Sequence, residues 1–584
     1  MPSEYPRFRT QTHSFLLALD ELHLVYQTDM HAGLMKQIDI IKTYTQKHCL
    51  IVEDEPDTRT QLKRIMNDFG CPEVDTAGGA EEAIELCERK QYDMVLSDYN
   101  LGKGKNGQQL LEELRYHHHL PRTSLFIMTT AESSSRYVLH ALEYQPDEYL
   151  SKPLNRETLR KRLDQALLKN EALQPTLKAL ENNKLKSAMA ACMDALTEHP
   201  RFSHDIKKVL GELLHQCKLH DDAAALYQNY PNNKRPLWAQ IGLARAWYEL
   251  KQLSKAEQLL KQVTKENSLC LDAIELLAKV YEALNKPQKA QVMLEQAVKL
   301  SPMSAVLQRE MGRLSELNGD TNASVLAYRA AVKNAKNSCH ENPEDYTNLT
   351  RSLSKLMSCG SQANSEKVGA EALETLKSLD KKYGRRPVVK LHSKLLEAEI
   401  HENRGQNETA QRALQEAVNQ QAALKLTTID GTSTQLCVDC AKSLMRHGQY
   451  DGGEKMLQQV ANTDRGPGFT IKIDKLLREP LTTGGVKLAA KLNKKGIELY
   501  QADKAQEAVN AFEMVLHELP NHIGLNLNLI QSIISKNKEK PANPKEIAQM
   551  REGFKRIGNL NQDSSYHKRY TYLQKQYNKI STSS

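Results

Sequence analysis

The sequence predicts an α/β doubly wound parallel five-stranded sheet followed by an all-α helical solenoid. Three observations carry this. From residue 48 short apolar runs alternate with amphipathic stretches. The polar residues of that region fall at the ends of the apolar runs. Beyond residue 170 the pattern repeats with a period of 34 residues.

The elements of the first region follow in order. "CLIVED" reads as a buried strand and "DTRTQLKRIMNDFG" as a helix ending at Gly70. "EVDTA" is a second strand, "AEEAIELCERK" a second helix and "DMVLS" a third strand. "GQQLLEELRYHHHL" is a third helix, "SLFIMT" a fourth strand, "SSRYVLHALEYQ" a fourth helix and "DEYLS" a fifth strand. A last helix is expected from Asn155 to about Lys169. Apolar strands separated by amphipathic helices imply right-handed crossovers and a parallel sheet covered on both faces. Ligands of such sheets bind at the carboxyl ends of the strands.

Glu53 and Asp54 stand at the end of strand 1 and Asp98 at the end of strand 3. Thr129, Thr130 and Ala131 close strand 4, and Lys152 and Pro153 close strand 5. Three acids in one crevice repel each other, so a purely structural role is costly without a cation. A hard divalent ion with oxygen ligands, most simply Mg²⁺, removes the conflict.

With these residues in this order, 48–168 resemble the CheY-like receiver domain of bacterial response regulators, a flavodoxin-like fold. The resemblance implies that Asp98 is the phosphoacceptor, supplied by a histidine kinase or phosphotransfer protein. It implies Asp54 as a direct Mg²⁺ ligand, Glu53 as a ligand through water, and Asn100 as one through its backbone carbonyl. Thr130 and Lys152 hold the phosphoryl oxygens, Ala131 leaves that site open, and the Lys152–Pro153 bond is cis. Tyr149 matches the aromatic that changes rotamer with Thr130. Glu53 replaces the more frequent Asp, and "YQPDEYL" departs from the usual glycine and alanine before strand 5.

In the remainder, Ala256, Ala290 and Ser324 lie 34 apart, as do Leu243, Leu277 and Met311. Ala244, Ala278 and Gly312 share the spacing, and so do Leu260, Leu294 and Tyr328. Small residues at two fixed places let paired helices approach, and large ones fill the gap. This pattern resembles tetratricopeptide repeats (TPR). Residues 276–302 are the clearest copy, and six to nine repeats are expected. Weaker copies hold Gly211 with Ala223 and Tyr227, Ala398 with Gly405 and Ala410, and Ala441 with Gly448 and Leu457, and a further good one runs from about 489 to 522 with Gly496, Tyr500, Ala508, Phe512 and Pro520. "NAKNSCHENPED" and "SCGSQANSE" read as long loops in an atypical repeat, and "DRGPGF" with "LTTGG" as a hinge.

The domains expected are 1–46, an extension of no recognisable role; 47–168, receiver; and 169–335, TPR array. Atypical and further repeats fill 336–465, a linker 466–488, a C-terminal TPR 489–535 and a basic tail 536–584. Met30 and Met35 lie shortly before the first strand, so part of this stretch is read as an extension or as an upstream misreading of the start.

The ten cysteines form no framework of close pairs, which points to reduced thiols and a cytoplasmic location. "CVDC" (Cys437, Cys440) has metal or redox spacing but no second pair, so core packing is expected. "HHH" (117–119) suits a helix C-terminus. No apolar run is long enough to span a bilayer, and "SFLLALDELHLVY" is a poor signal peptide. From Lys536 onward eleven Lys or Arg face four acids, so the tail holds nearly all of the net charge of +8. Tyr566, Tyr570, Tyr572 and Tyr577 within it suggest either a capping helix or a single-strand nucleic-acid surface, and capping is the expected role.

The function expected is therefore that of a non-enzymatic response regulator, phosphorylated on Asp98, with output through protein contacts of the array. The alternatives are a nucleic-acid-binding regulator using the tail and a constitutive scaffold with an inert receiver.

Overall fold

A computed structural model of the chain describes residues 44–102, 104–130, 146–359, 362–423, 433–461, 483–518, 522–537, 542–557 and 566–582. The fourth predicted helix of the first region, Ala131 and the "DRGPGF" hinge lie outside them. The chain divides into two units, Met1–Asn342 and Pro343–Ser584.

The first unit opens on the sheet. β1 (His48–Val52), β2 (Glu73–Ala77), β3 (Met94–Asp98), β4 (Leu125–Thr130) and β5 (Glu148–Ser151) are all parallel, in the order β2-β1-β3-β4-β5. Ahead of the polar residues at their ends, β1, β3 and β4 carry apolar runs, residues 49–52, 94–96 and 125–128, because helices cover both faces. Cys49, Ile51, Met94, Leu96 and Ile127 face one cluster, and Leu50, Val52, Val95, Phe126 and Met128 face the other. Each such aliphatic side chain contributes about 1.5–3 kcal/mol on burial.

Helix α1 (Pro56–Phe69) ends at Gly70, whose φ of 102° lets its N–H turn back onto the Asn67 and Met66 carbonyls. α2 (Ala80–Arg89) follows. α3 (Gly107–Tyr116) starts with a reciprocal cap, the Asn106 side chain accepting from the Gln109 N–H and the Gln109 side chain from the Asn106 N–H.

The helix expected to stop near Lys169 does not. α4 runs from Arg156 to Glu181, through Pro175, as one 26-residue rod. Its first half buries Leu159, Leu163 and Ala166 under the sheet, and Leu173 in its second half joins the core of the helical array. The boundary placed at 168/169 thus falls inside a helix that belongs to both domains. The apolar spacing continues without a break, and packing on each half outweighs the missing N–H of the proline.

The array of the first unit continues with α5 (Leu185–Glu198), α6 (Ser203–Gln216), α7 (His220–Gln228), α8 (Leu237–Glu249) and α9 (Leu253–Glu266). α10 (Leu271–Ala283), α11 (Pro287–Leu300), α12 (Ala305–Leu317) and α13 (Thr321–Ala335) complete it. The turn inside each helix pair carries one left-handed residue: Asn183, Lys218, Lys251, Asn285 and Gly319, at nearly the sequence period. A Cβ on Gly211 or Gly312 would lie 2.3 Å or 2.7 Å from the ring or hydroxyl of Tyr227 or Tyr328, each sixteen residues later on the paired helix. The aromatic fills the space that the missing side chain leaves.

The second unit begins with α14 (Pro343–Cys359) and α15 (Gln362–Tyr383), then α16 (Pro387–Asn403), α17 (Asn407–Ala423), α18 (Ser433–Arg446) and α19 (Tyr450–Ala461). α20 (Thr483–Gln501), α21 (Ala505–Glu518), α22 (Ile523–Lys536), α23 (Pro544–Ile557) and α24 (His567–Thr582) close it. Within "SCGSQANSE", Ser358, Cys359 and residues 362–366 are helical rather than a loop. The phase slips there because α14 and α15 have 17 and 22 residues where the six helices before them, α8 to α13, have 13–15. The helix at the end of the expected linker starts at Thr483, ahead of 489, and the described residues contain ten successive helix pairs, more than the six to nine expected. Gly496 repeats the device of the first unit, with Phe512 against it at 2.4 Å from a built Cβ.

Candidate functional site

The strands end together, and their polar residues meet. Oxygens of Glu53, Asp54 and Asp98 lie within 4.8 Å of one another, with Glu53 and Asp98 buried and Asp54 exposed. Parallel register sets this: Val52 pairs with Ser97 and Asp98 with Thr129, so the residues after β1 and at the ends of β3 and β4 share one edge.

Lys152 reaches across from the end of β5. Its Nζ donates to Glu53 Oε2 at 2.8 Å and lies 3.0 Å from Asp98 Oδ2. Burial, the largest influence on Glu53, raises its carboxyl above the ordinary range, and Asp98 adds to this while the Lys152 hydrogen bond opposes it. Burial acts against the Lys152 ammonium, yet its bonds to Glu53 and Asp98 together hold its pKa above the ordinary lysine value. Asp98 Oδ1 accepts from the Tyr99 N–H at 2.8 Å.

Asn100 sits exposed in the loop that follows β3. Gly102, with φ of 71°, brings that loop to Asp54, whose carboxylate oxygen is 3.1 Å from a built Cβ. Thr130 is buried at the end of β4, and the Lys152–Pro153 peptide is cis. The Tyr149 hydroxyl is buried with no hydrogen-bond partner among the described residues. The donor set is oxygen-only, partly open to water and anionic, which fits a hard divalent ion.

Sequence reasoning missed several supports. Arg59 donates to the Glu53 carbonyl, tying α1 to the acid pair. Gly107 is in such close contact that a built Cβ would lie 2.2 Å from the Asp98 carbonyl oxygen. In "YQPDEYL", Asp147 accepts from the Phe126 N–H at 2.8 Å and lies 3.6 Å from Arg115. An aspartate there therefore fastens β5 to β4 and to the end of α3. Only Gly107, the first residue of a helix capped by Asn106, carried a readable signal.

The fold and the acidic edge define a receiver of the two-component class. Residues 49–164 match the family described as the response regulator receiver domain, and this segment is a CheY-like receiver. The chemotaxis protein CheY-3 of Vibrio cholerae is 28% identical over 115 residues, 20% of this chain and 87% of that protein. The response regulator TrrA of Thermotoga maritima, solved in complex with Mg(2+)-BeF, is 31% identical over 21% of this chain and 99% of that one, TM-score 0.19. A tetratricopeptide repeat protein from Parabacteroides merdae aligns with 53% of this chain and 98% of its own at 12% identity, TM-score 0.33. The helical remainder, by its own period and its interlocked glycines and aromatics, is a TPR array.

Away from the receiver, Cys437 and Cys440 are both buried, as core packing requires. In the tail, Leu573 is buried on the terminal core with Tyr566, Tyr570 and Tyr577 packed against it. Phe554 lies 5.4 Å, centroid to centroid, from both Tyr570 and Tyr577. Of the four tail tyrosines Tyr572 is exposed, and Tyr566, Tyr570 and Tyr577 are half-buried. Among the described residues no helix is long and apolar enough to cross a membrane.

Proposed function

We propose that the protein is a cytoplasmic, non-enzymatic response regulator in which Asp98 accepts a phosphoryl group from a histidine kinase or phosphotransfer protein and the TPR array delivers the output by binding another protein. The observation that carries this is Lys152, held 3.0 Å from Asp98 and 2.8 Å from Glu53 at the open edge of the sheet.

An Asp98 carboxylate oxygen attacks phosphorus, the bond from phosphorus to the donor breaks, and an acyl phosphate forms. Such a transfer depends on alignment and charge neutralisation more than on nucleophile strength. Lys152 is positioned to follow the new charge, and the Tyr99 N–H holds the second Asp98 oxygen in place. Mg²⁺ would be held by Asp54 and Asp98, the Asn100 carbonyl and, through water, Glu53, and would supply positive charge to the phosphoryl oxygens. Thr130 lies beside the acceptor at the β4 end, with Tyr149 as the aromatic that responds to it.

The test is reaction with acetyl phosphate and Mg²⁺, read by intact mass, with Asp98→Asn alongside. A gain of about 80 Da that needs Mg²⁺ and vanishes in the variant supports the reading. No gain where a control receiver is phosphorylated points instead to a scaffold with an inert receiver.

A further inference from the structure

Within the first unit the chain returns to the receiver. After α13, residues 337–341 turn back and meet α3 from more than two hundred positions away. His340 Nε2 lies 3.0 Å from Glu112 Oε2, and the Cys339 N–H donates to Glu113 Oε1 at 2.7 Å. Both glutamates are largely covered, and so is His340.

The loop is shaped to present these groups. Asn337 takes a left-handed φ of 58° and its N–H donates to Glu341. The Ser338 hydroxyl donates to the Ala335 carbonyl, and Arg309 of α12 donates to the His340 carbonyl at 3.0 Å. Charge-assisted bonds from two adjacent residues to two adjacent acids fix position and orientation together.

The other end of α3 abuts the phosphoacceptor. The Gly107 N–H donates to the Tyr99 carbonyl at 2.8 Å, one residue past Asp98. From Gly107 to Glu112 and Glu113 is about 8–9 Å along one capped helix. One capped helix thus links the Asp98 loop to the two glutamates.

We propose that residues 337–341 are a clasp that docks the end of the first helical array onto the acidic face of α3, and that phosphorylation of Asp98 loosens it. The second part rests on the switch reading above. The bonds of 2.7–3.0 Å are fitted to the unmodified receiver, so a shift of α3 moves both acids off their partners at once. The occupant of the acidic face is thus a segment of this same chain, and loosening releases the array end for an external partner.

Hydrogen exchange on the full chain, followed in the peptide spanning 336–342, tests this. Glu112→Ala with Glu113→Ala, and separately His340→Ala, are expected to speed Cys339 amide exchange about tenfold or more, while exchange in α6 stays unchanged. His340→Ala lies on the loop and leaves the receiver core intact, so a folding defect in the first variant does not obscure the result. Unchanged Cys339 exchange in both overturns the clasp. Acetyl phosphate with Mg²⁺ is expected to produce the same acceleration in the wild type and none in Asp98→Asn. Phosphoryl uptake by mass with no change at 336–342 overturns the coupling and leaves the switch standing. Absent uptake overturns the switch reading and the coupling together, and the clasp is then decided by the variants.

Discussion

The Lys152 ammonium lies 3.0 Å from the Asp98 carboxylate, with four-fifths of its side chain covered. One cation thus offsets the charge of a site that carries three acids. Replacing it by an apolar residue of similar length leaves Glu53 and Asp98 facing each other. Lys152→Met is expected to cost the receiver about 1–3 kcal/mol. Mg²⁺ should restore more stability to the variant than to the wild type, because the ion supplies the missing charge. Urea denaturation with and without Mg²⁺ measures both effects, and equal increments from the metal would count against a neutralising role for Lys152.

Gly107 admits no side chain, since a Cβ would meet the Asp98 carbonyl oxygen at 2.2 Å and the Met128 sulfur at 2.9 Å. Gly107→Ala is expected to destabilise the receiver by about 1–3 kcal/mol through overpacking. A denaturation midpoint within error of the wild type would show that α3 can shift freely away from Asp98.

In the array, Gly312 and Tyr328 form one packed unit. Gly312→Ala alone should cost about 1–3 kcal/mol, and much less in a Tyr328→Leu background, where the ring is gone. A double-mutant cycle reads the coupling. Strict additivity would mean that the helix pair absorbs the clash by moving apart.

His392 is fully enclosed in α16, and burial first, then the nearby Arg351, lower its pKa to about 4. A histidine depressed in the fold binds its proton more readily when unfolded. Its contribution is intact above about pH 6.5 and is lost as pH falls from there toward 4, at up to about 1.4 kcal/mol per pH unit. Melting temperature against pH should fall in that window, and His392→Leu should flatten the fall. An unchanged acid profile in the variant would assign the sensitivity to other groups.

The sequence made much of the receiver readable because its physics is local. "EVDTA" is a strand over the same five residues in the structure, since turn residues bound the run on both sides. Glu53, Asp54, Asp98 and Lys152 could be found together because parallel strands that end in polar residues must bring those residues to one edge. The end expected for α4 near Lys169 falls short of Glu181, because packing of its second half on the array carries the helix onward, even through Pro175. The pairing of Glu112 with His340 had no signal at all. No period or motif relates positions 228 apart, and only the curvature accumulated over the intervening helices brings them together.

The undivided α4 means that receiver and array are joined by phase as well as by sequence. Each residue of an α-helix advances the rotation by about 100°. Adding one residue at an exposed position of α4 would swing the array around the rod by that amount, and adding seven would bring it back almost to its original bearing while lengthening the rod by about 10 Å. A receiver transplanted onto this array, or this array onto another receiver, would have to match the azimuth at which the helix leaves the sheet. A chimera joined by a flexible spacer would lose that angular information even with both folds intact.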